Sequence, residues 1–281
     1  MRFTKMHGVG NDYIYIDLFR ERVDDPARLA ASLSRQHLGV GSDGLILIGP
    51  SERADFRMIM YNEDGSRGQM CGNGARCVAK YVHDRGLTDR TELTLETDAG
   101  VRQIFLTLRD GKTERVTVDM GQPALTFEQV PCTLGTGPVQ PVEIRAWRER
   151  FVVMPVGMGN PHAVIVVPEL PDTDYLARYG ERLEWNRGFP ARANVEFVQV
   201  LSRTQLRMRV WERGSGITLG CGTGACAALV ATALRGFCER EAEIELEGGR
   251  LTVSWDEETD HVFMTGPATF VFDGEIAEDF E

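Results

Sequence analysis

An α/β (α+β) fold of two pseudo-symmetric domains, each a β-sheet or barrel wrapped around a central buried helix, is what this amino-acid sequence predicts. Three observations lead there. The chain repeats itself at an offset of 149 to 150 residues. Strand-like runs recur in the same order in both halves, and each half contains one helix with almost no polar face.

The repeat is carried by three segments in order. Gly8-Val9-Gly10-Asn11 recurs as Gly157-Met158-Gly159-Asn160, and Arg57–Asn62 recurs as Arg207–Glu212. Cys71-Gly72-Asn73-Gly74-Ala75 recurs as Cys221-Gly222-Thr223-Gly224-Ala225. Spacings agree as well: Asn11 to Cys71 is 60 residues and Asn160 to Cys221 is 61, while Asn62 to Cys71 and Glu212 to Cys221 are both 9. Matched order and spacing point to duplication. The halves run 1–122 and 123–266, with the segment 267–281 expected to rejoin the first. Gly135-Thr136-Gly137-Pro138 reads as a turn.

Strands are expected at Tyr13–Leu18, Leu45–Ile48, Phe56–Tyr61, Leu93–Thr97 and Val116–Met120 in the first half. In the second they fall at Phe151–Val156, Ala163–Val167, Val195–Val200, Leu206–Trp211 and Ala242–Leu246. These runs are rich in β-branched, apolar and aromatic residues and are bounded by Gly, Asp or Pro. The apolar helices span Gly72 to about Asp84 and Gly222 to about Leu234, each stopped by a glycine, Gly86 or Gly236. A run such as Ala225-Cys226-Ala227-Ala228-Leu229-Val230-Ala231 offers water nothing, so it belongs inside the surrounding strands. An amphipathic surface helix begins at Pro26.

Composition bounds the function. The net charge of −11 gives no electrostatic footprint for nucleic acid or anionic lipid. No apolar run reaches the roughly 18 residues that span a bilayer, and the first residues lack a signal-peptide core. A soluble, cytoplasmic protein is expected. Six cysteines in 281 residues are too sparse for a disulfide scaffold. Lysine occurs only at positions 5, 80 and 112, which leaves few places for a Schiff base.

Chemistry concentrates where a cysteine immediately precedes a buried helix, twice. The first amides of a helix lack internal partners and carry partial positive charge. A thiolate there is stabilised, so lowered pKa values are expected for Cys71 and Cys221. The flanking glycines let a carboxylate approach the free N–H groups. A lone cysteine at such a place is ordinarily structural; two at homologous positions, each with glycine at +1 and +3, are not. Pseudo-two-fold symmetry would set the two thiols facing each other in a cleft between the domains. Inversion of a stereocentre by proton transfer needs that pairing, a base on one face and an acid on the other, exchanging roles in reverse. Helix amides would stabilise charge on the adjacent carboxylate.

Other signals weigh less. Cys77, Cys132, Cys226 and Cys238 read as small core hydrophobes. A zinc site from Cys71, Cys77, Cys221 and Cys226 fails because Cys71 and Cys77 would point to different sides of a helix start. Gly39-Val40-Gly41-Ser42-Asp43-Gly44 spells a dinucleotide fingerprint but precedes a strand, so it is a turn. His162 would ordinarily be structural, yet it follows the repeated Gly-x-Gly-Asn turn and is a candidate partner of a catalytic thiol. Glu212-Arg213 and Asn62 end homologous strands and are candidates to face the cleft.

These segments resemble the diaminopimelate epimerases over nearly the whole chain: Lys5–Asp12, Asn62–Ser66, Cys71–Arg76, Met158–His162, Arg192–Val195, Glu212–Gly214 and Cys221–Ala225. The resemblance implies interconversion of LL- and meso-diaminopimelate, a step towards lysine and peptidoglycan. It implies no pyridoxal phosphate or metal, two similar domains and a homodimer. Carried over by position, Cys71 and Cys221 are the acid/base pair, tuned by His162 and Glu212. The amides of Gly72, Asn73, Gly222 and Thr223 would hold the reacting carboxylate, and Glu212 would accept from the α-ammonium. Asn62, Asn194 and Arg213, helped by Asn11 and Asn160, would grip the distal end, where an arginine fork suits a carboxylate. Two departures stand out: Gly44 occupies a position where many members have Gln, and Gly214–Gly220 differs from the commoner Gly-x-Gly-Glu-Thr-x-Ala.

Alternatives are a proline-, hydroxyproline- or histidine-type racemase of the same superfamily, against which Asn73 speaks for the proline type, and a redox sensor closing a Cys71–Cys221 disulfide. No sequence feature supplies the output a sensor needs.

Overall fold

The chain is seen in a computed structural model that describes residues 1–277 and 280. It divides into two compact units, Met1–Asp119 with Thr265–Glu281, and Met120–Met264.

The first unit holds β1 (Arg2–Gly8), β2 (Asn11–Asp17), α1 (Pro26–Ser34), β3 (Gly44–Gly49), β4 (Phe56–Asn62), β5 (Arg67–Gly68), α2 (Gly72–Asp84), β6 (Glu92–Thr97), β7 (Gly100–Arg109) and β8 (Lys112–Asp119). The second holds β9 (Val142–Ala146), β10 (Glu149–Gly157), β11 (Pro161–Val166), α3 (Thr173–Glu184), β12 (Asn194–Ser202), β13 (Gln205–Glu212), β14 (Gly216–Ile217), α4 (Gly222–Leu234), β15 (Glu241–Leu246) and β16 (Gly249–Trp255). After β17 (Val262–Gly266), β18 (Thr269–Glu275) returns to the first unit and pairs antiparallel with β1, Arg2 opposite Glu275.

Both units pair their strands alike. In the first, β1·β2 is antiparallel, β2·β3 parallel, β3·β4 antiparallel, β4·β6 parallel and β6·β7 antiparallel. In the second, β10·β11, β11·β12, β12·β13, β13·β15 and β15·β16 repeat that sequence of directions. The register repeats too: Ile14 opposes Leu45 as Ala163 opposes Val195, and Leu45 opposes Tyr61 as Val195 opposes Trp211. A parallel pair needs a crossover, and a helix fills each one.

The apolar helices follow their expected bounds to the residue. α2 packs against β1, β2, β7 and β8, with Gly72 to Ala79, Tyr81 and Val82 buried. α4 packs against β10 to β13, β15 and β16 and is buried from Ala225 to Thr232. All ten expected strands are present, most running a residue or two longer than the apolar run that announced them.

The end of α2 is tied to β8 by Asp84. Its carboxylate accepts from Lys80 Nζ at 2.7 Å and from the backbone N–H and hydroxyl of Thr113, both at 2.9 Å. Burial alone would push this carboxyl up, but bonds from Lys80, His83 and Thr113 outweigh it and hold the pKa at about 2. That lies below the unfolded value of about 3.9. The stabilisation is therefore full above about pH 4 and is lost as pH falls through about 2. Asp84→Asn should cost on the order of 1–2 kcal/mol at neutral pH and nothing below about pH 2, read as urea midpoints at both pH values.

Candidate active site

Cys71 is the N-cap of α2 with extended backbone, φ −133° and ψ 119°. Its Sγ accepts from the N–H of Gly74 at 3.3 Å, and its thiol reaches Asn11 Oδ1 at 3.3 Å. Asn73 Nδ2 donates to the same oxygen at 3.4 Å. Asn11 is held in turn, donating through Nδ2 to Asp43 at 2.6 Å. Burial, then the neighbouring Asp12 carboxylate, raises the pKa of Asp43. Behind the cap, the fully buried Arg76 donates to Asn73 Oδ1 at 2.8 Å. The structure thus brings Asn11, Cys71, Gly72 and Asn73 together. Asn62 ends β4 and bonds locally, its Nδ2 donating to Ser66 Oγ at 2.9 Å.

Gly44 lies opposite Asn62, at φ +154°, where a Cβ would stand 2.1 Å from the carbonyl oxygen of Tyr61. Only glycine fits that approach. The missing glutamine of this position is thus built into the local backbone.

In the second unit Cys221 caps α4 in the same way, φ −105° and ψ 113°, accepting from Gly224 N–H at 3.4 Å. Thr223 Oγ1 lies 3.5 Å from the sulfur. His162, fully buried on β11, has Nδ1 2.7 Å from Glu196 Oε1 and Nε2 2.8 Å from Asn160 Oδ1. Asn194 opposes His162 across the parallel β11·β12 pair and accepts from the backbone N–H of Arg213 at 2.8 Å. The exposed Arg213 guanidinium donates to Ala191 O at 3.0 Å. Glu212, at the end of β13, accepts from the hydroxyl of Thr218 and from Cys221. The two amides expected of Gly222 and Thr223 open the helix directly behind the thiol.

One expectation is overturned. Cys221 does not have a lowered pKa; it is raised well above the ordinary thiol value, by burial first and then by the Glu212 and Glu196 carboxylates. Helix amides do favour a thiolate, but here two negative groups and loss of water outweigh them. Glu212 is itself raised, chiefly by burial and against the bonds from Thr218 and Cys221. Cys77, left aside as a core residue, is buried and pushed to about 11, mainly by that burial.

Glu196 and Thr218 went unnoticed in the sequence. Glu196 was detectable in principle as the one charged residue inside the buried run Val195–Val198. Thr218 carried no comparable signal, since its role depends on a fold-back from β14 towards Glu212.

Comparison with known proteins identifies an isomerase of the epimerase class. The fold is shared with a hydroxyproline epimerase from Agrobacterium vitis, solved with bound trans-4-hydroxy-L-proline, at a TM-score of 0.70 and 17% identity over 99% of this chain and 93% of that one. A PhzF-family phenazine biosynthesis protein from Bacillus anthracis superposes at a TM-score of 0.71 and 18% identity, over 99% of both chains. The sequence profile of diaminopimelate epimerase matches residues 3–126 and 154–271. Diaminopimelate epimerases from Acetivibrio thermocellus and Agathobacter rectalis are 52% and 50% identical, covering 98% of this chain and 98% and 99% of their own. That from Methanococcus maripaludis is 47% identical, over 98% of this chain and 99% of its own. This chain belongs to the diaminopimelate epimerase family.

Proposed function

We propose that the chain interconverts LL- and meso-diaminopimelate with Cys71 and Cys221 as acid and base. The observation that carries this reading is the duplicated cap: each sulfur sits at a helix N-terminus, 3.3 or 3.4 Å from the amide three residues on. One thiolate removes the α-proton while the other thiol delivers a proton to the opposite face of the carbon, and the roles exchange in the reverse direction. The barrier is the weak acidity of the Cα–H. Amides of Gly72 and Asn73, and of Gly222 and Thr223, are the donors for charge growing on the reacting carboxylate.

Glu212 takes the α-ammonium and, with His162, adjusts the charge around the thiols. Asn11, Asn62, Asn160, Asn194 and Arg213 receive the distal amino-acid end. In this reading Asn194 holds the Arg213 backbone so that its guanidinium is free to turn to a carboxylate. The family resemblance further supports a cytoplasmic homodimer acting in lysine biosynthesis.

The test is incubation of the reduced protein with LL-diaminopimelate in D₂O. Meso product with deuterium at one centre, seen by chiral chromatography and NMR, is the expected result. Inversion of proline or histidine but not of diaminopimelate would move the chain's substrate to that of a sister racemase. Absence of exchange with every amino acid would overturn the reading.

A further inference from the structure

The duplicated units are not chemically equal beneath their helices. In the first, a Cβ placed on Gly74 would meet Ile46 Cδ1 of β3 at 2.5 Å. In the second, a Cβ on Gly224 would meet Glu196 Oε1 of β12 at 2.8 Å and Cys221 Sγ at 3.3 Å. Ile46 and Glu196 are 150 residues apart, the offset of the repeat, and the repeated strand registers place them at equivalent points. Where one helix rests on a methyl group, the other rests on a carboxylate.

That carboxylate is fully buried, its Oε1 engaged by His162 Nδ1 at 2.7 Å and its Oε2 without a hydrogen-bond partner among the described residues. Val164 and Val210 flank it across the strands. Burying such a group costs free energy unless it is fully paired and hydrogen-bonded, and here one oxygen is not. The sulfur of Cys221 lies within reach of the same methyl-sized space.

We propose that Glu196 is a positioning residue: it fixes the ring of His162 and sets a carboxylate beneath the Cys221 cap. The inference rests on the two-cysteine reading above. The titratable groups around Cys221 are Glu196 from β12 and Glu212 from β13, with His162 from β11 set against Glu196. The buried residues of β10, β15 and β16, which also pack on α4, are apolar. Both carboxylates act on Cys221 in one direction, upward. The His162 ring is held from both sides, Nδ1 by Glu196 Oε1 and Nε2 by Asn160 Oδ1.

The experiment is peptide-resolved alkylation of Cys221 by iodoacetamide across a pH series, in the full-length protein and in Glu196→Gln and Glu196→Asp. In the native protein the Cys221 midpoint is expected above the free-cysteine value of about 8.5. Glu196→Gln keeps the shape and an acceptor for His162 and removes the charge, so the midpoint should fall by about one pH unit, while that of Cys71 stays put. Glu196→Asp, which keeps the charge, should hold the Cys221 midpoint near the native one. A native midpoint at or below 8.5, or an unmoved midpoint in folded Glu196→Gln, overturns the proposal. Failure of the functional reading would be distinct: epimerisation would then survive Cys221→Ala, whatever the alkylation curves show.

Discussion

Cys71→Ala and Cys221→Ala should each lower the rate of LL-to-meso interconversion by about 10³-fold or more, roughly 4 kcal/mol of transition-state stabilisation. In the proposed mechanism each side chain supplies a proton transfer that the other cannot supply, because inversion uses both faces of the same carbon. The two losses should not add in the double variant, since removal of either partner already disables the unit. Proton exchange separates the partners. With one thiol left, α-proton wash-out in D₂O persists for the isomer whose Cα–H meets that thiol and is lost for the other. The two single variants should therefore show opposite preferences between LL and meso substrate. Overall inversion near the native rate in either variant would refute the assignment.

Arg76→Ala should be the most damaging change outside the thiols, this time to stability. The guanidinium is fully buried and donates to Asn73 Oδ1 at 2.8 Å, Pro267 O at 3.1 Å and Gly72 O at 3.4 Å. Truncation leaves a cavity and strips donors from the buried oxygens of Asn73 and Gly72, each worth about 1–3 kcal/mol when unsatisfied. A loss of about 3–5 kcal/mol is expected, or a Tm about 6–15 °C lower. Arg76→Lys should recover only part, because one ammonium cannot span three acceptors set in a fork. Calorimetry on the three proteins decides it. A melting temperature within a degree of native for Arg76→Ala would show that these bonds exchange freely with water.

Much of this molecule is written in local pattern. Cysteine before glycine, an apolar run and then Gly86 or Gly236 define α2 and α4 to the residue, because cap, core face and stop signal all lie within the helix itself. Strands with a continuous apolar run, such as Leu45–Ile48, are equally plain. Others hide because their partners, not their composition, make them strands. β1 reads Arg-Phe-Thr-Lys-Met-His-Gly and is stitched on both sides, to β2 and to β18. β7 places Arg102 and Gln103 before its apolar stretch and ends in Arg109, and β18, mostly exposed, spells Thr-Phe-Val-Phe-Asp-Gly-Glu.

The site divides the same way. Cys71 and Cys221 announce themselves by repetition. The electrostatics of Cys221 do not, since the sign is set by Glu196 and Glu212, which come from strands 25 and 9 residues upstream in sequence. A local rule about helix dipoles cannot weigh charges that only the tertiary fold delivers.

The return of β18 to β1 also governs how the chain is made. β1 is synthesised before the second unit, yet its Arg2–His7 edge waits for Thr269–Glu275, which is synthesised after it. Strands β9 to β16 are all made while the first unit still presents an open edge, the kind of surface on which nascent chains pair wrongly. Closing a loop of that length is slow compared with local helix and hairpin formation. The pairing of β1 with β18 thus keeps one edge of the first unit open until the second unit has been synthesised.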